Sequence, residues 1–107
     1  MISLPKPIRS YFHANAQFDL DGMLNPFSGD AVVHDEKQTY RGTDEIRAWI
    51  ERATIQNKAI AIAEAISTDD RAHHVTAKVS GDFPGSPISM TFHFRLEEER
   101  VAELEID

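Results

Sequence analysis

The chain has 107 residues, the size of one domain, and we expect a single domain over residues 1–107. A formal net charge of −7 argues against nucleic acid and anionic membranes as partners. The absence of cysteine excludes disulfides and thiolate catalysis, and it favours a cytoplasmic location. The longest apolar run, Ala59–Ala63, is too short to cross a membrane, and the first ten residues lack the apolar core of a signal peptide.

Proline and a capping residue predict two helices in the first part of the chain. Pro5 and Pro7 are compatible with a first helical turn, where proline's missing N–H has no intrahelical partner to lose. Asp19 is a suitable N-cap for a second, short helix, whose apolar face we expect to extend to Phe27. Pro26 should end or tighten that helix, because its ring cannot sit in a helix interior.

A hairpin and a third helix are predicted next. Ser28–Asp30 is predicted to be a turn, and the β-rich run Ala31–Asp35 is predicted to pair with Gln38–Arg41. Thr43 is a suitable N-cap for the third helix. The buried face of this helix is an apolar stripe that begins at Ile46 and repeats at helical spacing.

The second half of the chain predicts four strands. Residues 57–66 fit either a helix or a strand, and their isoleucine content favours a strand. Apolar residues alternate in Ala72–Ser80 and Ile88–Leu96, and the turn-rich loop Gly81–Pro87 separates them. The last strand follows a turn at Glu97–Glu99. Helices that precede a strand meander predict an α+β fold with a curved antiparallel sheet.

Five stretches in a fixed order carry a resemblance to a known family. They are Ile8–Phe12, Asp19–Leu24, Gly29–Asp35, Tyr40–Ile50 and Ser80–Phe94. From about Ile8 to Ile106 the chain resembles the SnoaL-like group of the nuclear transport factor 2-like superfamily. The resemblance implies a cone, in which the sheet wraps around three N-terminal helices in the order helix, helix, hairpin, helix and four strands. It also implies a pocket at the open end and a homodimer packed through the outer face of the sheet.

Two residues match, in context, functional positions of ketosteroid isomerase, a member of this superfamily. In that enzyme an aspartate moves a proton beside a carbonyl and a tyrosine donates a hydrogen bond to the resulting enolate, and the resemblance assigns these roles to Asp35 and Tyr11. Strand alternation supports this, since Val33 and Asp35 should point inward while Val32 and His34 point outward. The alternative is that Tyr11 packs as a core aromatic and Asp35 opens a turn.

The resemblance also exposes a difference from ketosteroid isomerase. A third functional position of that enzyme holds a protonated aspartate on the penultimate strand, and Phe92 stands near it here. Polyketide cyclases of the superfamily keep an acidic residue deep in the sheet, which we do not find. We therefore expect no steroid isomerisation, and the residues give no support for cyclase chemistry. Inward-facing apolar side chains are expected to line the ligand pocket: Phe12, Phe27, Val33, Trp49, Met90, Phe92 and Phe94.

The histidines do not predict a metal centre. His73 and His74 are adjacent, so they point to opposite faces of a strand and cannot chelate one ion together. His34 and His93 should face outward, where the histidines would form a pH-sensitive interface. The sequence contains no glycine-rich phosphate loop, and we expect neither a metal nor another cofactor.

Two functions remain open from the sequence. The first is a small domain that binds an apolar or aromatic small molecule in its cone, with or without proton transfer at Asp35. The second is a non-catalytic dimeric binding or accessory module with a vestigial pocket. Fold alone does not decide between them, because the superfamily contains both enzymes and binding domains.

Overall fold

Helices and strands follow one another in the order that the sequence predicts. The computed structural model describes residues 2–107, and these form an α+β fold. The helices are α1 (Lys6–Ala16), α2 (Leu20–Leu24) and α3 (Gly42–Ile50), and α3 continues into a π-helical turn (Glu51–Ile55). The strands are β1 (Phe27–Asp35), β2 (Gln38–Arg41), β3 (Ile60–Thr68), β4 (His73–Ser80), β5 (Ile88–Glu97) and β6 (Arg100–Ile106).

The strands form one curved sheet in the order β2-β1-β6-β5-β4-β3. The meander β3–β6 is antiparallel, as predicted, and β2 is antiparallel to β1. The sheet is not antiparallel throughout, because β1 lies parallel to β6 with Val33 opposite Leu104. These two strands are separated by β2, a helix and three further strands, and parallel pairing requires a long connection of this kind.

The predicted start of the first strand is wrong. Phe27 and the predicted turn Ser28–Asp30 belong to β1, which begins directly after Pro26. The reason lies far away in the sequence, since Phe27 pairs with Val101 and the Val101 N–H donates to the Pro26 carbonyl oxygen at 2.9 Å. A register irregularity between Phe27 and Val32 accommodates the turn-forming residues within the strand.

The helix starts agree with the sequence in two cases of three. Pro5 is the N-cap of α1, and the Asp19 side chain caps α2 by accepting from the Gly22 N–H at 3.0 Å. Thr43 is not the cap of α3, because Arg41 occupies that position. The Arg41 N–H donates to the Glu45 carboxylate at 2.8 Å, which fixes the end of β2 against the first turn of α3, and no side chain caps this helix.

The ambiguous segment 57–66 contributes a strand, since β3 begins at Ile60. At its start the inward residues are small, with Ala61 opposite Val79, whereas Ile62 lies opposite Lys78 on the outer face and is 64% exposed. A register shift between Ala63 and Ala65 then turns Ile66 inward, opposite the buried Val75, so the isoleucines do not all mark one face of this strand. The short alanine side chains leave room between β3 and the helices.

The core lies between the concave face of the sheet and the helices. Its largest fully buried side chains come from both layers, and they include Ile8, Met23, Ile46 and Ile50 from the helices and Phe94 and Leu104 from the sheet. Within residues 2–107, no helix combines the length and the hydropathy that crossing a membrane requires.

Candidate functional site

A cavity of about 550 Å³ opens between the concave face of the sheet, α1 and the end of α3. Its walls include Tyr11, Asp35, Trp49, Met90 and Phe92. Both residues expected to carry chemistry and three of the seven expected lining residues therefore meet in one place. The volume lies within the range of roughly 300–1,000 Å³ that is usual for sites of small molecules.

The other four expected lining residues lie in the core and not on the cavity wall. These are Phe12, Phe27, Val33 and Phe94, all buried. They point inward as strand and helix alternation requires, but the Tyr11 ring packs over three of them. Its centroid is 5.3 Å from that of Phe12, 5.9 Å from Phe27 and 5.6 Å from Phe94, each in edge-to-face geometry. Tyr11 thus separates this aromatic layer from the cavity.

Asp35 ends β1 at the edge of the cavity, and its side chain is half-buried. The indole Nε1–H of Trp49 donates to its Oδ2 at 3.0 Å, which fixes the carboxylate against the cavity wall. Burial raises the pKa of Asp35, the Trp49 hydrogen bond opposes this, and the neighbouring Glu36 charge raises it further. A carboxylate with a raised pKa is a stronger base than a solvated aspartate.

Tyr11 brings a neutral hydroxyl to the same cavity. Burial raises the pKa of Tyr11, and the charge of Asp35 raises it further, so the hydroxyl keeps its proton at neutral pH. Tyr11 is 3% exposed, and among residues 2–107 no protein group forms a hydrogen bond with its hydroxyl. The hydroxyl is therefore available to donate to a molecule in the cavity.

Sequence reasoning did not identify a pair of residues on the cavity wall, Tyr40 and Arg52. The Arg52 Nη2 donates to the Tyr40 hydroxyl at 2.9 Å, and its guanidinium carbon lies 5.5 Å from the centre of the Tyr40 ring. The Tyr40 ring in turn lies 6.1 Å from that of Trp49. Arg52 pairs with no carboxylate within residues 2–107, so its positive charge beside Tyr40 is not neutralised by an acidic side chain.

Asn15 is the second residue that sequence reasoning did not identify. It is buried, its Oδ1 accepts from the Ala61 N–H at 2.7 Å, and its Nδ2 donates to the Ala59 carbonyl oxygen at 2.9 Å. The amide side chain thus pairs with the start of β3 as a neighbouring strand would. A signal was present in the sequence, because an asparagine on the buried face of a helix needs polar partners.

The polar groups of the cavity are of the types that proton transfer with one stabilising donor requires. Asp35 is a carboxylate and Tyr11 a neutral hydroxyl, while Phe92 lines the wall and offers no hydrogen bond. No group of three or more His, Asp or Glu side chains within the described part of the chain could hold a metal ion. His34 and His93 lie on the outer face, outside this cavity, as strand alternation predicts.

Comparison with known proteins identifies the family and the fold. A model of the SnoaL-like domain matches residues 8–104. A solved structure described as a candidate polyketide cyclase from Sinorhizobium meliloti is 36% identical, with a TM-score of 0.91 over 97% of this chain and 95% of that one. No curated protein matches the sequence.

More distant structures share the fold. A hypothetical protein with a ketosteroid isomerase-like fold from Catenulispora acidiphila, solved with trimethylamine, is 15% identical, covers 98% of this chain and 86% of its own, and has a TM-score of 0.82. An NTF2-like protein from Cytophaga hutchinsonii is 10% identical and has a TM-score of 0.81, and the match covers 100% of this chain and 90% of that one. Since the family model spans nearly the whole sequence, this chain belongs to the SnoaL-like domain family and has the nuclear transport factor 2-like fold.

Proposed function

We propose that the cavity binds an apolar or aromatic molecule bearing a carbonyl group, and that Asp35 removes a proton from the carbon beside that carbonyl. One observation carries this proposal: a half-buried carboxylate with a raised pKa and a neutral tyrosine hydroxyl share one cavity. Groups of this kind are what enolisation needs, namely a base for the proton and a donor for the developing oxyanion.

The proposed step assigns one role to each group. The ionised Asp35 carboxylate accepts the proton from the ligand carbon. The electron pair of the broken C–H bond forms a C=C bond to the carbonyl carbon, and the π pair of the C=O bond moves onto the oxygen. The Tyr11 hydroxyl donates to that oxygen as its charge grows. The Trp49 indole N–H keeps the carboxylate oriented, and return of the proton to either end of the enolate completes the reaction.

The walls support a ring-shaped ligand. Trp49, Phe92 and Met90 present aromatic and thioether surface, which packs well against a flat apolar ring. The 36% identical relative is described as a candidate polyketide cyclase, a description that supports a cyclic ligand. Arg52 would pair with an acidic group at the end of such a ligand.

The chain provides its own reporter for the test. Trp49 is the only tryptophan, and it lies on the cavity wall, so its fluorescence reports ligand binding directly. We suggest 2-tetralone, a two-ring ketone with acidic protons beside its carbonyl. Binding of 2-tetralone should quench the Trp49 fluorescence of the wild-type protein. The protein should also accelerate the exchange of those protons with D2O, which NMR measures. Asp35→Asn should bind but not accelerate exchange, whereas Asp70→Asn, which changes an exposed carboxylate, should do both.

A second candidate is a non-catalytic binding module, and one observation favours it. Phe92 occupies the wall where a second oxyanion donor would be needed, so Tyr11 acts alone. The same experiment separates the two functions. Quenching without accelerated exchange, equal in wild type and Asp35→Asn, supports the module and contradicts proton transfer. If 2-tetralone neither quenches the Trp49 fluorescence nor exchanges its protons faster, the cavity does not bind ligands of this class.

A further inference from the structure

Two histidines face each other on the outer surface of the sheet, away from the cavity. His74 on β4 and His93 on β5 are directly opposite in the strand register. Their Nδ1 atoms are 2.7 Å apart, and their ring centres are 4.9 Å apart. The sequence did not show this pair, because only the register between the two strands brings residues 19 positions apart together.

Each ring binds a carboxylate through its other nitrogen. His74 Nε2 lies 2.9 Å from Asp69 Oδ2, and His93 Nε2 lies 3.1 Å from Asp107 Oδ1. An ionised carboxylate only accepts hydrogen bonds, so both Nε2 atoms carry protons. In the neutral rings the two Nδ1 lone pairs therefore point at each other. Such an arrangement is unfavourable unless a proton or a cation lies between them.

We propose that His74 and His93 form a binding site for a late first-row divalent cation, Zn²⁺, Ni²⁺ or Cu²⁺, through their two Nδ1 atoms. Imidazole nitrogen is a preferred ligand of these ions. A carboxylate on the far nitrogen is the usual support of a metal-bound histidine, because it fixes the tautomer and the ring orientation. Both features are present here on both histidines.

The geometry requires a small adjustment. Metal–nitrogen bonds of about 2.0–2.1 Å in a tetrahedral site place two ligand nitrogens roughly 3.3 Å apart, so the rings would separate by about 0.6 Å. The side chains are 29% and 27% exposed, which leaves them space to turn. Since no third His, Asp or Glu within residues 2–107 completes the group, water occupies the remaining coordination positions.

The surroundings favour a cation. Asp69 is held in place before it meets His74, because its Oδ1 accepts from the Arg71 N–H at 2.8 Å and the Ala72 N–H at 3.0 Å. Arg95, on the same face as His93, is paired with Glu97 and Glu103 and adds little repulsion.

Calorimetric titration of the tag-free chain with NiCl2 and ZnCl2 tests the site. We expect one ion per chain, and no binding of MgCl2, which prefers oxygen ligands. His74→Ala and His93→Ala should each abolish binding, and Asp69→Asn should weaken it by about 10-fold or more. The matched control is His73→Ala, because His73 points to the other face of β4 and contacts Thr68.

A measurement on the unchanged protein guards against misfolded variants. Addition of Zn²⁺ should shift the ring NMR signals of His74 and His93 and leave those of His13 and His73 in place. Circular dichroism establishes that each variant is folded. Absence of binding in the wild type, or binding that survives both alanine substitutions, would overturn the proposal and leave the pair as a shared-proton contact.

Discussion

The ionised side chain of Asp35 is less stable in the folded protein than in the unfolded chain, because burial raises its pKa above the usual 3.8. At a pH between the pKa of Asp35 in the unfolded chain and its raised pKa in the folded protein, the folded state binds more protons than the unfolded state. The free energy of unfolding therefore falls as the pH rises through this range. The penalty is therefore larger at pH 7 than at pH 4. We expect Asp35→Asn to raise the melting temperature at pH 7 by a few degrees.

Thermal melts at pH 7 and pH 4 check this expectation. An asparagine can still accept from the Trp49 N–H, so the substitution removes the charge and keeps the hydrogen bond. The gain should be smaller at pH 4 than at pH 7, because the penalty falls as the pH approaches the unfolded pKa of 3.8. Asp70→Asn, at an exposed position, should show no such gain. A lower melting temperature for Asp35→Asn would mean that the carboxylate stabilises the turn that follows β1.

Tyr11 allows chemistry and stability to be separated. Its hydroxyl has no protein partner within residues 2–107, so Tyr11→Phe removes no internal hydrogen bond. We expect the free energy of unfolding to change by less than about 1 kcal/mol. Proton exchange of 2-tetralone should fall by about 10²–10³-fold, the usual cost of one oxyanion donor. Denaturant unfolding and NMR exchange are the two measurements, and an unchanged exchange rate would remove Tyr11 from the proposed step.

Single residues were predictable from the sequence where local alternation decides their direction. Asp35 shares its face with Val33, and His34 points the other way, because successive side chains of a strand alternate. Asn15 and Arg52 were not predictable in this way. Asn15 bonds residues 44 and 46 positions away, and no local pattern encodes such a distance.

At the scale of elements, Asn15 joins α1 to the start of β3. Asn15→Leu would leave the Ala61 N–H and the Ala59 carbonyl oxygen buried without partners. We expect the free energy of unfolding to fall by about 2 kcal/mol or more, since each unsatisfied buried group costs about 1–3 kcal/mol. Urea unfolding measures this. The control His13→Leu lies on the exposed side of the same helix, and an equal loss in both variants would contradict the bridging role.

The boundaries of helices and strands were predictable where neighbouring residues determine them. The predicted boundaries were wrong where pairing with a distant strand determines them. Asp19 caps α2 with its own side chain, three residues from its partner. Phe27, in contrast, follows an apolar helical pattern and precedes a turn-forming run, yet it pairs with Val101 of β6. Tertiary pairing overrides local propensity at this point. The parallel contact of β1 with β6 escaped prediction for the same reason.

The whole molecule explains why only three of the seven expected residues line the cavity. The other four lie in the core, because the narrow end of the cone is filled by aromatic rings of the protein itself. Tyr11 lies at the boundary, with core phenylalanines on one side and the cavity on the other. Sequence alternation separates inward from outward residues, and only the assembled helix and sheet layers separate core from cavity wall.

We expect a homodimer in which two copies of the chain pack through the outer faces of their sheets. The helices pack against the concave face, which leaves the outer face uncovered by the described residues. Ile62 is an apolar side chain on that face, 64% exposed, beside the lysine at position 78. The mixture of apolar and polar side chains on this face matches the composition of interfaces between independently folded chains.

Analytical ultracentrifugation in buffer with EDTA, which excludes any contribution from a bound cation, should give twice the chain mass of 12.1 kDa at tens of micromolar. Ile62→Glu places a charge where the partner would remove water, and we expect it to shift the dissociation constant by at least about 10-fold toward monomer. Because Ile62 is exposed, its replacement should leave the fold intact. Gln38→Glu adds the same charge at the β1–β2 turn and should leave the dimer unchanged. A wild-type monomer, or a dimer indifferent to Ile62→Glu, would exclude this face as the interface.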